Sequence, residues 1–441
     1  MAYFYRGIAS FSGVRVRTGN MARTHHPHRL RLGGRGYFQR IGPGLITGAA
    51  DDDPSGIGTY SQVGAAFGFK LVWTSVLALP LAAAVQEATA RLGLFSGKGL
   101  AALIKQEFPR WVLWLALTLV VGANTFNIGA DLGSMAAATH MIVPIPRALL
   151  VVMFALGMAL LEIAVPYHQY SRVLRWLCLS LVSYVAVLFI INVSWFDVLN
   201  HLLVPRLGFN KPELAALIAI FGTTISPYLF FWQTSEEVEE RGDHVGELFD
   251  EPAHLRSMRG DVFAGMSSGV FVMFAIMVTS AATLHVNGVT QIGTAEEAAL
   301  ALEPLAGSMA KWLFTLGILG TGLLAVPVLA GSTSYALSET FGWREGLSLK
   351  MNQAKAFYGV IFASMFIGLL INFVGLNPVR ALYWSAILNG LAAPPLIVMI
   401  TVLSRRKHVL GDHVSGRVST SLTAIAAFIS AALPILYLFA K

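Results

Sequence analysis

Apolar residues along this chain come in blocks, with neither helical nor strand alternation inside them. "VVMFALGMALLEIAV" (151–165) and "SLVSYVAVLFIINV" (180–193) lack the polar stripe of a water-facing helix, which rejects a large soluble helical bundle. A block of about 20 apolar residues crosses a hydrocarbon core of about 30 Å. On that measure the chain predicts eleven spans, at 43–66, 69–92, 111–138, 147–166, 173–193, 213–234, 261–286, 311–338, 354–374, 378–403 and 418–440. The intervening loops are too short for a soluble domain, so residues 41–441 read as one all-α integral membrane domain. Residues 1–40 stand apart, rich in Arg and His with no apolar core. They read as a basic, disordered tail, neither a secretory signal nor a span. Its "HHPH" (25–28) reads as an incidental terminal cluster rather than a metal site.

Composition changes the picture through where the charges lie. The chain is 55% hydrophobic and 12% charged, with a net charge of +7. With the N-terminus placed inside, 24 of the 31 Lys and Arg fall on the inner side and 7 on the outer. That asymmetry is the cytoplasmic bias of basic residues, so the excess charge reports topology and implies no nucleic-acid partner. It places the N-terminus in the cytoplasm and the C-terminus outside, across a bacterial plasma membrane. If residues 43–66 did not cross, the tail would change sides and the count would fall to 16 against 15. The single cysteine, Cys178, excludes an intramolecular disulfide and a multi-cysteine metal site.

A crossing first span makes "AADDDPSG" (49–56) a puzzle, because it puts Asp51, Asp52 and Asp53 near mid-membrane. Pro54 follows, flanked by Gly48, Gly56 and Gly58. Span 6 is punctuated in the same way by Gly222 and Pro227 in "FGTTISPYLFFWQ" (221–233). Pro54 and Pro227 stand 173 residues apart, about five spans. Interrupted spans at matching positions of two halves point to a transport site, with spans 1–5 and 6–10 as the halves and span 11 appended. A proline inside a helix frees the carbonyl four residues earlier, here those of Ala50 and Thr223. Freed carbonyls, the Asp53 carboxylate and the Ser226 hydroxyl form an oxygen donor set for a cation. On a continuous helix Asp52 and Asp51 would point about 100° and 200° away from Asp53. They either line an aqueous route or become neutral in a crowded site.

"GPGLITGAADDDPSGIGTYSQVGAAFG" (42–68), "QEATARLGLFSGKGL" (86–100) and "NIGADLGSMAAA" (127–138) resemble the first three helices of the NRAMP (natural resistance-associated macrophage protein) divalent-metal transporters. The similarity runs over about residues 40–405. It implies a leucine-transporter-like fold of two inverted five-helix repeats plus an eleventh helix. It also implies a divalent metal ion carried as substrate, the bilayer as setting, no resident cofactor and no obligate protein partner. The family hallmark Asp-Pro-Gly-Asn keeps its Asp and Pro as Asp53 and Pro54, but Gly56 stands for its Asn. The sixth-helix Met-Pro-His becomes Ser226, Pro227 and Tyr228. Losing sulfur and amide leaves a hard, oxygen-only, roomier site. Such a site suits Mg²⁺, which keeps several waters and meets one or two carboxylates, while Mn²⁺ also accepts oxygen ligands. The pattern resembles the magnesium-transporting branch of the family, in which proton coupling is weak or absent. Asp131 matches the family's third-helix proton-route Asp, but Ser134 stands where a Glu is expected. The proton-coupled Mn²⁺ and Fe²⁺ transporters of the wider family remain the alternative.

Other ionisable residues carry two readings each. Glu87 and Arg91, four apart, predict a structural ion pair. Glu236 and Glu237, with Glu239 and Glu240, are either a solvated helix end or an acidic vestibule that gathers cations at the inner mouth. Asn389 falls about where the family carries a polar tenth-helix residue. A same-fold carrier of an organic solute is disfavoured, since three acids in the first span would repel a carboxylate. A membrane enzyme is disfavoured by the absence of HExxH, Walker and Gly-x-Ser-x-Gly motifs.

Overall fold

The computed structural model describes Gly48 and residues 51–165, 179–243 and 251–440. The basic tail, Ala50, Cys178 and the first part of span 5 lie outside the described residues. Among the described residues every regular element is helical. Among these residues eight helices are long and apolar enough to cross a membrane, and Pro54–Leu71 with Thr74–Ser96 qualify as a pair bent by 113°. These correspond to spans 3, 4 and 6–11, with the bent pair taking spans 1 and 2 (its first member being the second half of span 1). Gly68, at φ 58°, a left-handed value that favours glycine, ends helix Pro54–Phe67 and opens the short turn Gly68–Leu71 ahead of the bend. Span 7 is longer than hydropathy indicated. Its helix begins at Glu251 and runs to Ser280, then continues through a π turn at Ala281–His285.

The two expected interruptions are present and share one form. Residues 51–54 run helix, bend, coil, helix, and residues 224–227 do the same. Helix Pro54–Phe67 starts at Pro54, and Pro227–Asp243 starts at Pro227. This corrects the expectation of helix-interior prolines. Each proline opens the second half-helix, where its missing N–H costs no bond and its fixed φ suits the first turn. The break arises just before it, because proline pushes the preceding residue out of the helical region. Asp53 is accordingly extended (φ −65°, ψ 170°).

Contacts between loops sort the span ends into two sets. At one end, Lys70 of the 1–2 turn pairs with Glu213 at the start of span 6. Gln62 bonds Thr290 O (3.2 Å) and Ile292 N (2.8 Å) of the 7–8 loop, and Asn377 bonds Gly293 O at 2.9 Å. At the other, Arg241 reaches Leu94 O (2.8 Å), Glu339 accepts Ala101 N (2.8 Å), and Glu107 meets Arg406 and His408. Alternation of the spans requires this partition.

Glycines set how closely the spans pack. A Cβ on Gly93 of span 2 would strike Thr234 O of span 6, and one on Gly64 of span 1 would strike Met277 O of span 7. Gly129 of span 3 meets Gly368 O of span 9, where a Cβ would come within 2.8 Å. Gly331 of span 8 instead lies under the Trp232 ring of span 6, at 2.7 Å from that Cβ position. The predicted Glu87–Arg91 pair forms in the buried end of span 2. Arg259 of span 7 joins it at 2.9 Å, and Ser419 of span 11 at 3.2 Å.

Candidate functional site

Asp53 is 1% exposed and fully engaged at the first-span break. Its Oδ1 accepts the Gly56 amide (2.8 Å) and the Ser55 hydroxyl (2.6 Å), capping helix Pro54–Phe67. Its Oδ2 accepts the Asn127 side-chain amide from span 3 at 2.9 Å. The cap dictates the carboxylate's direction, and the break dictates its depth. It stands at the seam between the first span and the third.

The span 6 break lies against the same place. Ser55 Oγ and Thr223 Oγ1 are 3.5 Å apart, and Tyr60 OH and Thr224 Oγ1 are 3.0 Å apart. A Cβ on Gly56 would stand 3.4 Å from Thr223 Oγ1 and 3.5 Å from Asp51 O. The two interruptions therefore bring Asp53, Gly56 and Thr223 together as the sequence implied. Ser226 is used differently: its hydroxyl donates to Thr223 O (2.6 Å) and Gly222 O (3.1 Å). It satisfies one lone pair of the expected free Thr223 carbonyl and leaves the second. A sulfur also approaches this break, Met273 Sδ at 3.6 Å from Thr224 Oγ1, on the Tyr60 side.

The remaining candidates separate into groups. Ala50 lies outside the described residues. Asp51 and Asp52 are buried and do not diverge as a continuous helix would make them, because the bend at Asp52 resets the direction. Their Oδ2 atoms stand 3.5 and 3.6 Å from where a Cβ on Gly269 of span 7 would be. Asp131 is wholly buried, and neither carboxylate oxygen has a hydrogen-bond partner. Ser134, where a second acid was sought, donates to the Asp131 carbonyl at 2.8 Å. Tyr228 is buried in the first turn after the break, and its carbonyl accepts Ser332 Oγ at 2.8 Å. Asn389 is buried with both amide atoms unpartnered. A cleft of about 960 Å³ opens beside Gln62, Ile218, Arg380, Tyr383 and Tyr437, and no site residue lines it.

Glu236 and Glu237 are buried, which corrects the reading of a solvated helix end. Gln233 donates to Glu237 at 2.8 Å, and Tyr335 of span 8 reaches Glu236 at 3.5 Å and, more tightly, Glu239. Hydropathy saw acids at a helix end; tertiary packing folds span 8 over them. Glu345, in the loop after span 8, adjoins this cluster. Burial, with the charges of Glu339 and Glu239 nearby, pushes its carboxyl up to about 8.

Two buried asparagines escaped sequence reasoning. Asn127 grips Asp53, and one turn before it Asn124 donates to Thr333 Oγ1 of span 8 at 3.0 Å. The signal was available: Asn124, Asn127 and Asp131 recur at helical spacing in an otherwise apolar run and share one face.

Comparison with known proteins adds the family. The model described as natural resistance-associated macrophage protein-like matches residues 44–440. The divalent metal cation transporter MntH of Caldanaerobacter subterraneus subsp. tengcongensis is 25% identical over 388 residues, covering 85% of this chain and 87% of that protein. That of Yersinia pestis is 27% identical over 406 residues, covering 88% and 92%. The Eremococcus coleocola manganese transporter superposes with a TM-score of 0.74 at 18% identity, covering 92% of this chain and 86% of its own. Mhp1, a nucleobase-cation-symport-1 family transporter, superposes at 0.59 and 14%, covering 90% and 92%. The fold is thus leucine-transporter-like, two inverted five-span repeats with an eleventh span appended. With nine-tenths of its length matched by one family model, the chain belongs to the natural resistance-associated macrophage protein-like family.

Proposed function

We propose that this chain is a secondary transporter that carries divalent metal cations across a bacterial plasma membrane by alternating access. Mg²⁺ and Mn²⁺ are its substrates, with weak or no proton coupling. The carrying observation is the Asp53 carboxylate, held where two broken spans meet, with the Ser55 hydroxyl bonded to it and the Thr223 hydroxyl of the second break 3.5 Å beyond that of Ser55. Asp53, the carbonyls of Ala50 and Thr223, the Gly56 position and Ser226 form the ion site. Asp51, Asp52, Tyr228, Asp131, Glu236, Glu237 and Asn389 line its approaches. One carboxylate among neutral oxygens suits an ion that keeps part of its water shell. Residues 41–441 form the transport domain, with the N-terminus cytoplasmic and the C-terminus outside. The relatives' printed names are those of transporters, not enzymes.

Weak coupling rests on what surrounds Asp131. Tyr228 and Ser134 stand where a histidine and a second acid would pass a proton on, and neither titrates near neutral pH. Uptake needs no proton either. Moving one charge through 100 mV is worth about 2.3 kcal/mol, so a divalent ion gains about 4.6, or about a 2000-fold gradient. The second reading is a proton-coupled Mn²⁺ transporter; its ion is favoured by the manganese named for the Eremococcus coleocola transporter, and its coupling by the two unpartnered oxygens of Asp131.

Purified protein in liposomes, offered Mg²⁺, Mn²⁺ and Ca²⁺ with potential clamped and a pH dye inside, decides between them. The expected result is Mg²⁺ and Mn²⁺ uptake without appreciable acidification. Stoichiometric acidification that vanishes in Asp131→Asn would refute the uncoupled mechanism.

A further inference from the structure

We propose that Asn127 is a ligand and specificity-determining residue of the Asp53 site: its NH₂ holds the carboxylate, and its amide oxygen faces the ion. It thereby supplies from span 3 the side-chain amide that Gly56 lacks in span 1. This rests on the reading of Asp53 as the ion-binding carboxylate.

The chemistry of the pair fixes the orientation of the amide. An ionised carboxylate only accepts hydrogen bonds, so the nitrogen must be the atom that meets Asp53 Oδ2 at 2.9 Å. The oxygen then points elsewhere, and it has no hydrogen-bond partner although Asn127 is wholly buried. A buried amide oxygen left unpaired is unfavourable, and a cation beside Asp53 would relieve it. A residue present only to tie span 3 to span 1 would use its NH₂ alone and leave the buried oxygen without a purpose.

Position supports the assignment. Asp53 turns Oδ1 toward its own helix, where Gly56 and Ser55 occupy it, and turns Oδ2 toward span 3. The free amide oxygen therefore lies beside the carboxylate oxygen that is not spent on the cap. Across the break, a side chain at Gly56 would point at Thr223 Oγ1 and Asp51 O. That side is already filled, the Tyr60 ring lying 3.3 Å from the same point, and Asn127 brings a neutral oxygen from span 3 instead. An amide oxygen is hard and uncharged, so it adds a donor without a second negative charge. That fits an oxygen-lined Mg²⁺ site better than a site selecting softer metals.

The test compares Asn127→Ala, Asn127→Leu and Asn127→Asp with wild type in liposomes, reading KM and kcat for Mg²⁺, with Asp53→Ala alongside. Ala and Leu remove the oxygen, and Leu preserves the volume should Ala fold poorly. Asp loses the NH₂ but keeps an oxygen for the ion, and a divalent cation between the two carboxylates offsets the added charge. The expected result is a KM raised about 10- to 100-fold in Ala and Leu, with kcat changed far less and KM largely restored in Asp. A KM within about twofold of wild type in Leu, or equal impairment of Leu and Asp, would overturn the proposal. Asp53→Ala separates the failures. If that variant still transports, the site reading itself falls. If it is inactive while Asn127→Leu behaves as wild type, only the role of Asn127 falls.

Discussion

Replacing Asp53 separates its two jobs, capping a half-helix and binding an ion. Asp53→Asn keeps an oxygen where Oδ1 accepts the Gly56 amide and the Ser55 hydroxyl, so the cap survives. Its new NH₂ faces the NH₂ of Asn127, a conflict that a flip of the Asn127 amide removes. Asp53→Ala loses all three bonds. Loss of an N-cap costs about 1 kcal/mol, and each buried donor left unpaired about 1–3. Alanine should therefore be about 2–4 kcal/mol less stable than asparagine in ion-free buffer. Both variants also shed an ionised buried carboxylate, whose desolvation costs several kcal/mol, so both should fold and insert. Their response to ions should be the same and null. Wild type at 100 times its Kd gains about 2.7 kcal/mol from Mg²⁺, read as a rise in thermal midpoint; neither variant should gain any. Uptake should fall more than about 100-fold in both, beyond the effect typical of supporting residues. Asparagine at position 53 with a wild-type Mg²⁺ shift, or with more than a tenth of wild-type uptake, would show that the formal charge is not what holds the ion.

Ser226→Met with Gly56→Asn restores a sulfur and an amide, and should shift preference from Mg²⁺ toward Mn²⁺. Because both positions adjoin one ion, their effects should be non-additive; unchanged selectivity in competition uptake would refute the hardness argument. Glu345 predicts a pH effect on stability. Its folded carboxyl titrates at about 8 against 4.5 for the free side chain, so between those values the folded state holds the extra proton. Its contribution is full below about pH 4.5 and is lost as pH rises toward 8. Thermal unfolding across that range should show wild type losing ground to Glu345→Gln, and parallel curves would contradict the burial.

Sequence reached the spans because lipid removes any alternative to helices satisfied within themselves. It reached the two breaks because proline and glycine punctuate spans 1 and 6 alike. It misplaced the prolines within their half-helices, since the pattern marks a break without saying on which side the helix resumes. It missed Asn127 because the helical spacing of Asn124, Asn127 and Asp131 marks a polar face without naming what that face meets; the partner is Asp53, 74 positions away. The acids at 236 and 237 looked solvent-facing for the same reason, as Tyr335 covers them from 99 positions beyond Glu236.

The glycine contacts have a mechanical consequence. Where Gly93 meets Thr234 O, Gly64 meets Met277 O and Gly129 meets Gly368 O, main chain lies directly on main chain. Such surfaces are keyed to one another by peptide geometry, and any slip along them costs atomic overlap at once. Spans 1 and 7, 2 and 6, and 3 and 9 are thus welded in pairs. Gly331 is different, for it faces the flat ring of Trp232 rather than a backbone. A planar ring over a glycine meets no opposing peptide group, so the backbones do not interlock at that point. Spans 6 and 8 are therefore held to one another here by side chains rather than by meshed backbone, through Ser332 on Tyr228 O and Tyr335 on Glu236 and Glu239, and those bonds are what any relative movement of the two must break.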